Sequence, residues 1–316
     1  MNVYLTFDVE LWCDGWDELD RKFPAAFARY VYGRSPKGEY ALPATLAILA
    51  RHGLRAVFFV EPLFSARFGE RYLAEIVQMI EREGQDVQLH LHPEWTDEIS
   101  PPPISDVSRK RQHLTHYSVE EQTTLLGLGL GLLRAQTRSD VFAFRAGSYG
   151  ANLDTYRALA RCGLAVDSSL NSAYGISGSD LPRELTGSAS ARIEGLQAFP
   201  VTVFTDGLGR QRPAQVGACG LQELRHALEA AAEGGCPHFV IVSHNFEMLR
   251  PGSSEPDPLV VRRFEGLCRY LAQNSHRYRV GSFPRGPVEQ TAGPQVRVGS
   301  WPTFVRVGEQ LLRRLG

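Results

Sequence analysis

Lysine is nearly missing from this chain: of its 34 basic residues only Lys22, Lys37 and Lys110 are lysine. That imbalance fits codon bias better than a binding signal. A basic excess is missing as well, because 34 basic residues stand against 35 acidic ones. The balance argues against both a nucleic-acid-binding field and an acidic solvating tail. Long apolar runs are also missing. The longest, residues 125–133, has nine residues interrupted by three glycines, about half of what a bilayer span needs. The N-terminus, Met1-Asn2-Val3-Tyr4-Leu5-Thr6-Phe7-Asp8, lacks the basic and apolar regions of a secretory signal, so the expected location is cytoplasmic. The five cysteines, Cys13, Cys162, Cys219, Cys236 and Cys268, are odd in number and not closely paired. They read as reduced core thiols rather than a disulfide framework.

What is present is 316 residues, 43% of them hydrophobic, enough for one large domain or two modest ones. Short apolar runs of strand character recur, each followed by a segment of helical spacing, and this alternation predicts a parallel α/β architecture. Strands are expected at 3–7, 57–60, 87–91, 141–144, 164–166, 198–204, 239–242 and 278–280. Helices are expected at 41–52, 72–83, 119–134, 153–161, 221–232 and 259–273, with a short amphipathic one at 305–315. Seven or eight strands suffice to close a barrel. The connections 11–40, 93–118, 171–197 and 245–257 are long, and long connections in compact domains are usually functional or disordered. In a parallel β/α barrel such loops gather at the C-terminal face, where active sites are built.

The polar residues cluster at those strand ends. Asp8 and Glu10 are two apart at the end of the first strand and share a face, with Cα atoms about 7 Å apart. His90 and His92 repeat that geometry on the third strand. Two imidazoles on one strand face with a carboxylate pair nearby in the fold are the donors that bind Zn²⁺ and similar ions. Arg145 ends the fourth strand, where its permanent charge could hold a carboxylate ionised. It opens the segment Arg145-Ala146-Gly147-Ser148-Tyr149-Gly150, whose glycines permit a tight turn with inward N–H groups. Asp167-Ser168-Ser169 and Ser243-His244-Asn245 end two further strands.

The ordered set Thr6-Phe7-Asp8-Val9-Glu10, His90-Leu91-His92-Pro93, Arg145 to Gly150 and Ser243-His244 resembles the polysaccharide deacetylase (NodB-homology, carbohydrate esterase) family, from about residue 2 to residue 282. The resemblance implies a distorted parallel (β/α) barrel of about seven strands over residues 1–283, with 284–316 a C-terminal extension packed on it. It also implies a metal-dependent hydrolase that removes N-acetyl groups from sugars. Two positions depart from the family pattern. The family's Thr-Phe-Asp-Asp has its second acid displaced to Glu10, and the first of two histidines four apart is replaced by Gln88, leaving His90 to take over.

Carried onto this sequence, the resemblance implies a divalent metal on Glu10, His90 and His92, zinc first, with cobalt, nickel or manganese able to share such ligands. Asp8, fixed by Arg145, would be the base; the alternative assignment puts Asp8 on the metal. The N–H of Tyr149 would bind the oxyanion, and His244 would protonate the leaving amine, with Asp167 raising its pKa. Trp12, Trp16, Trp95 and Tyr149 fall in the site loops, where aromatic faces can pack on sugar rings or anchor loops in the core. Trp12, Trp95 and Ser148 are the substrate-binding candidates. Arg109-Lys110-Arg111 could meet a phosphate or form a solvated loop. The expected partner is an acetylated sugar or saccharide, with no nucleic acid and no transmembrane segment; the oligomeric state is open. Competing readings are hydrolysis of a small non-saccharide amide and a catalytically silent carbohydrate-binding barrel.

Overall fold

The computed structural model describes residues 1–174, 181, 185, 188–293 and 296–315. Part of the expected connection 171–197 therefore lies outside the described residues. The strands that organise the fold are β1 (Asn2–Val9), β2 (Val57–Val60), β3 (Asp86–Leu91), β4 (Ala143–Ala146), β5 (Val166–Asp167), β6 (Ser188–Ile193), β7 (Leu196–Ala198), β8 (His238–His244) and β9 (Arg279–Val280). The main helices are α1 (Leu19–Phe27), α2 (Leu42–Arg51), α3 (Glu70–Arg82), α4 (Val119–Gln136), α5 (Leu153–Arg161), α6 (Leu221–Glu233), α7 (Pro258–Gln273) and α8 (Ser300–Leu315). Parallel strands with helical connections make this an α/β architecture, a distorted (β/α) barrel.

The chain divides into two compact units. The first comprises Met1–Ala56, Val201–Ser282 and Ala292–Gly316. Here β1 and β8 run parallel from Asn2 opposite His238 to Asp8 opposite His244, and β9 pairs with the start of β1. Nearly every residue of β1 is buried, as befits a parallel strand covered on both faces. The polar Thr6 is accommodated because its hydroxyl donates to Ile241 O at 2.8 Å.

The second unit comprises Val57–Pro200 and Phe283–Thr291. Strands β2, β3, β4, β5 and β7 pair in that order, all parallel, while β6 folds back antiparallel on β7. Helix α3 buries Leu73, Ile76, Val77 and Ile80, the i, i+3, i+4, i+7 stripe of a core-facing helix. Helix α4 opens with a capping box: Glu121 N donates to Ser118 Oγ at 3.2 Å and Ser118 N to Glu121 Oε2 at 2.9 Å. Its Gly129 lies so close to β3 that a Cβ there would stand 3.1 Å from the Leu91 side chain.

Three expectations shift. The strand expected at 198–204 is two, Leu196–Ala198 and Val203–Thr205, because Pro200 cannot donate to a ladder. Residues 11–40 contain α1, with Pro24 inside it. The C-terminal helix begins at Ser300 rather than 305. Pro302 reads as a breaker, but in a first turn its missing N–H is not needed. The five cysteines are free thiols, and among the described residues no helix is long and apolar enough to cross a membrane.

Candidate active site

In the first unit the ends of β1 and β8 bring acids and an imidazole together. Asp8 and Glu10 are buried. Asn245 fixes the chain between them: its N donates to Asp8 O at 3.2 Å, its Oδ1 accepts from Glu10 N at 3.1 Å, and its Nδ2 donates to Glu10 O at 3.3 Å. A buried side-chain amide thus replaces the ladder where the strands end. His244 lies between two carboxylates, with Nδ1 3.3 Å from Glu247 Oε1 and Nε2 3.6 Å from Glu10 Oε1. Burial alone would lower its pKa, but the Glu247 hydrogen bond and the charges of Glu10, Glu247 and Asp8 raise it to about 9. Glu247 is itself buried, which would raise its pKa, yet bonds from His244, Gln215 and Ser243 hold it below the usual carboxylate value. Gly217 N also donates to Glu247, at 2.8 Å.

In the second unit His90 and His92 are both buried, with ring centroids 4.9 Å apart. Each has its Nδ1 engaged, His90 with Arg145 O at 2.7 Å and His92 with Glu94 Oε2 at 3.1 Å. An Nδ1 held by a carbonyl or carboxylate oxygen is the usual second contact of a metal-binding imidazole. Two such imidazoles within one unit are nitrogen donors of the kind a divalent metal ion takes. Gln88 accepts from Phe142 N and Ala143 N at 2.9 and 2.7 Å and donates to Asp86 and to Asp140 O. It clasps β3 to β4, so the departure at this position serves the sheet.

Arg145 is wholly buried. Its Nε donates to Ser168 O at 3.0 Å and its Nη2 to Ser168 Oγ at 2.9 Å, and the guanidinium lies over the Phe59 ring. Asp167 holds the same corner: it accepts from Tyr156 Oη at 2.6 Å and from Ser169 Oγ at 2.5 Å, and Ser169 Oγ accepts from Ala146 N. Burial raises the Asp167 pKa against these bonds and the charge of Arg145. Next to this corner, Ser148 and Tyr149 both have left-handed backbones, φ 51° and 57°. Two such residues in succession cost about 1–3 kcal/mol each and concentrate at functional turns. Gly147 allows the turn to press on the site, since a Cβ there would stand 2.6 Å from His92 Nδ1.

Some expected residues serve other ends. Asp167 was expected beside His244, but the carboxylate bonded to His244 is Glu247, and Asp167 braces β4. Trp95 is 1% exposed and packs edge-on against Phe68; it anchors its loop in the core and has no face to offer a sugar. Trp12 is half-buried and edge-on to Trp16, and Ser148 is exposed. The half-buried Tyr149 stacks on exposed Tyr174 at 5.6 Å. Lys110 ties down Glu94 O, Asp97 and Glu98, and Arg111 binds Asp106 O, His116 O and Glu121. Both hold the loop together, which takes two of the three charges away from any phosphate.

Sequence reasoning missed Glu61, Glu94 and Glu247. Burial pushes the Glu61 pKa up to about 8, although Leu63 and Phe64 N–H groups and the charge of His92 oppose it. Glu94 and Glu247 lie two and three residues past a site histidine, the available signal for a side chain that turns back on its neighbour.

No family profile and no curated protein sequence matches the chain. Solved structures do resemble it. A Mycobacterium smegmatis protein assigned as a polysaccharide deacetylase is 18% identical over 91% of this chain and 94% of its own, with a TM-score of 0.51. A Streptomyces lividans family 4 carbohydrate esterase, solved with acetate, is 12% identical over 93% and 97%, TM-score 0.47. A Bacillus anthracis pseudoenzyme of the same family is 14% identical over 92% and 67%, TM-score 0.45. At these identities the likeness is one of fold.

Proposed function

We propose that this protein is a metal-dependent hydrolase that removes an N-acetyl group from a sugar or saccharide. The observation that carries the reading is the pair of buried histidines, each with its Nδ1 held by a carbonyl or carboxylate oxygen in the way metal-binding imidazoles are oriented. Glu10, His90 and His92 would hold the metal, with zinc the first choice for two imidazoles and a carboxylate. A bound divalent metal would supply Lewis acidity to polarise the amide carbonyl and activate water.

The chain's own residues do the rest. Asp8, as the base, takes the proton from the attacking water. The carbonyl carbon becomes tetrahedral, and the strained turn at Ser148 and Tyr149 presents the Tyr149 N–H to the developing oxyanion. An amine leaves only when protonated, and His244, held protonated by Glu247, supplies that proton. Tyr149 and Tyr174 offer a stacked aromatic edge against which a sugar ring can pack.

The test is acetate release from free, nucleotide-linked and polymeric N-acetylated sugars by metal-stripped protein, with and without zinc. Release that requires metal is the expected result. Metal binding with silence across the panel would move the substrate to a small amide, and silence with no metal bound would leave a non-catalytic barrel. Glu94→Ala should weaken zinc binding about 10–100-fold, whereas Glu94→Gln keeps an acceptor for His92 and should lose less. Equal affinities for wild type and Glu94→Ala would remove His92 from the ligand set.

A further inference from the structure

Outside the residues used so far, the first unit contains a cavity of about 700 Å³ beside the start of α7 and the second half of α8. Its charged wall is four arginines, Arg250, Arg262, Arg263 and Arg313, against two acids, Asp257 and Glu309. Both acids are already committed. Asp257 caps α7, accepting from Leu259 N at 3.0 Å and Val260 N at 3.3 Å, and its other oxygen takes Arg313 Nε. Glu309 Oε2 takes Nε and Nη2 of Arg263 at 3.0 and 2.5 Å. Arg263 is 3% exposed, and its remaining nitrogen, Nη1, is buried without a hydrogen-bond partner among the described residues. A buried guanidinium with an unused donor is costly unless something accepts from it. The remainder of the wall is apolar, from Leu221, Pro251, Pro258 and Leu259.

We propose that this cavity is a binding site for an amphiphilic anion, a phosphate or carboxylate carrying a short apolar chain or ring. The arginine excess gives the charge, and the guanidinium fork matches the oxygens of either headgroup. The apolar wall accounts for the chain, and the volume lies in the range of small-ligand sites. The amides at the start of α7 are not part of the recognition, because Asp257 occupies Leu259 and Val260 N–H and Pro258 has none. The proposal does not depend on the hydrolase reading, since none of these side chains takes part in it.

The test is calorimetric titration of the full chain with hexyl phosphate, hexanoate, inorganic phosphate and hexyl glucoside, in wild type and two variants. Hexyl phosphate or hexanoate should bind, the tighter of them identifying the headgroup, and both neutral glucoside and bare phosphate should bind at least tenfold more weakly. Arg262→Glu, at an exposed position on the rim, should weaken the anion about tenfold or more. Leu259→Trp, which fills the apolar side, should remove the preference for the hexyl compounds over inorganic phosphate. No heat at millimolar ligand, glucoside binding as well as the anions, or affinities that neither variant changes would each overturn the proposal.

Discussion

Among single residues, His244 shows best how neighbours decide chemistry. Burial pulls its pKa down, and a hydrogen bond to Glu247 with three carboxylate charges lifts it to about 9. The folded value lies above the ordinary value of 6.5. The stabilisation from this proton is therefore complete below about pH 6.5 and is lost as pH rises through about 9. A general acid with that pKa should keep kcat/KM level through neutral pH and lose it above about pH 9. Glu247→Gln removes the carboxylate charge while leaving an amide that Ser243 and Gly217 can still meet. The alkaline limb of its pH–rate profile should then move to lower pH. An unmoved limb would take His244 out of the acid role. His244 itself was legible as a polar residue at a strand end, but its partner was not. Strand periodicity places residues i and i+2 on one face, whereas Glu247 reaches back from the loop through a turn that no period encodes.

At the scale of elements, the parts of the site legible in the sequence are those that a strand positions. Asp8 with Glu10, and His90 with His92, follow from two-residue alternation alone, and Arg145 from its place at the end of β4. What stayed hidden depends on one element touching another: the Gln88 clasp between β3 and β4, the Asp167–Ser169–Ala146 chain between β5 and β4, and the turn after β4 against the end of β3. The last gives a direct test. Gly147 is not among the residues with positive φ, so its backbone accepts alanine, but the added methyl would meet the His92 ring at 2.6 Å. The ring is held by Glu94 and cannot simply swing aside. Gly147→Ala should therefore keep its melting temperature within a few degrees while losing zinc affinity and about 10²-fold in rate, the cost of a misplacement near 1 Å. Wild-type metal affinity and rate in that variant would mean that His92 takes no part in the site.

For the whole molecule, the strand and helix alternation carries the fold class with little help from particular residues, which is consistent with a shared fold at 18% identity. The C-terminal segment is where pattern fails. Its helix was legible from amphipathic spacing, yet it is also attached through buried polar groups. Arg306 is 2% exposed and bonds two acids from distant parts of the first unit, Glu223 at 3.0 Å and Asp206 at 3.2 Å. Thr303 adds a bond to the same Glu223, and Gly207 N donates to Thr303. An arginine in an amphipathic helix is ordinarily taken for the solvent face, so the sequence alone points it the wrong way. Removing one member of a buried pair strands the other, at about 3–5 kcal/mol, while replacing both with apolar residues of similar volume is often neutral. Asp206 keeps Arg212 in either case, so Glu223 is the group left exposed to the loss. Arg306→Leu should lower the urea-unfolding free energy by about that 3–5 kcal/mol, and Glu223→Leu combined with Arg306→Leu should recover most of it. If the single variant unfolds at the wild-type urea concentration, the C-terminal helix is not held by this pair and its attachment rests on its apolar face.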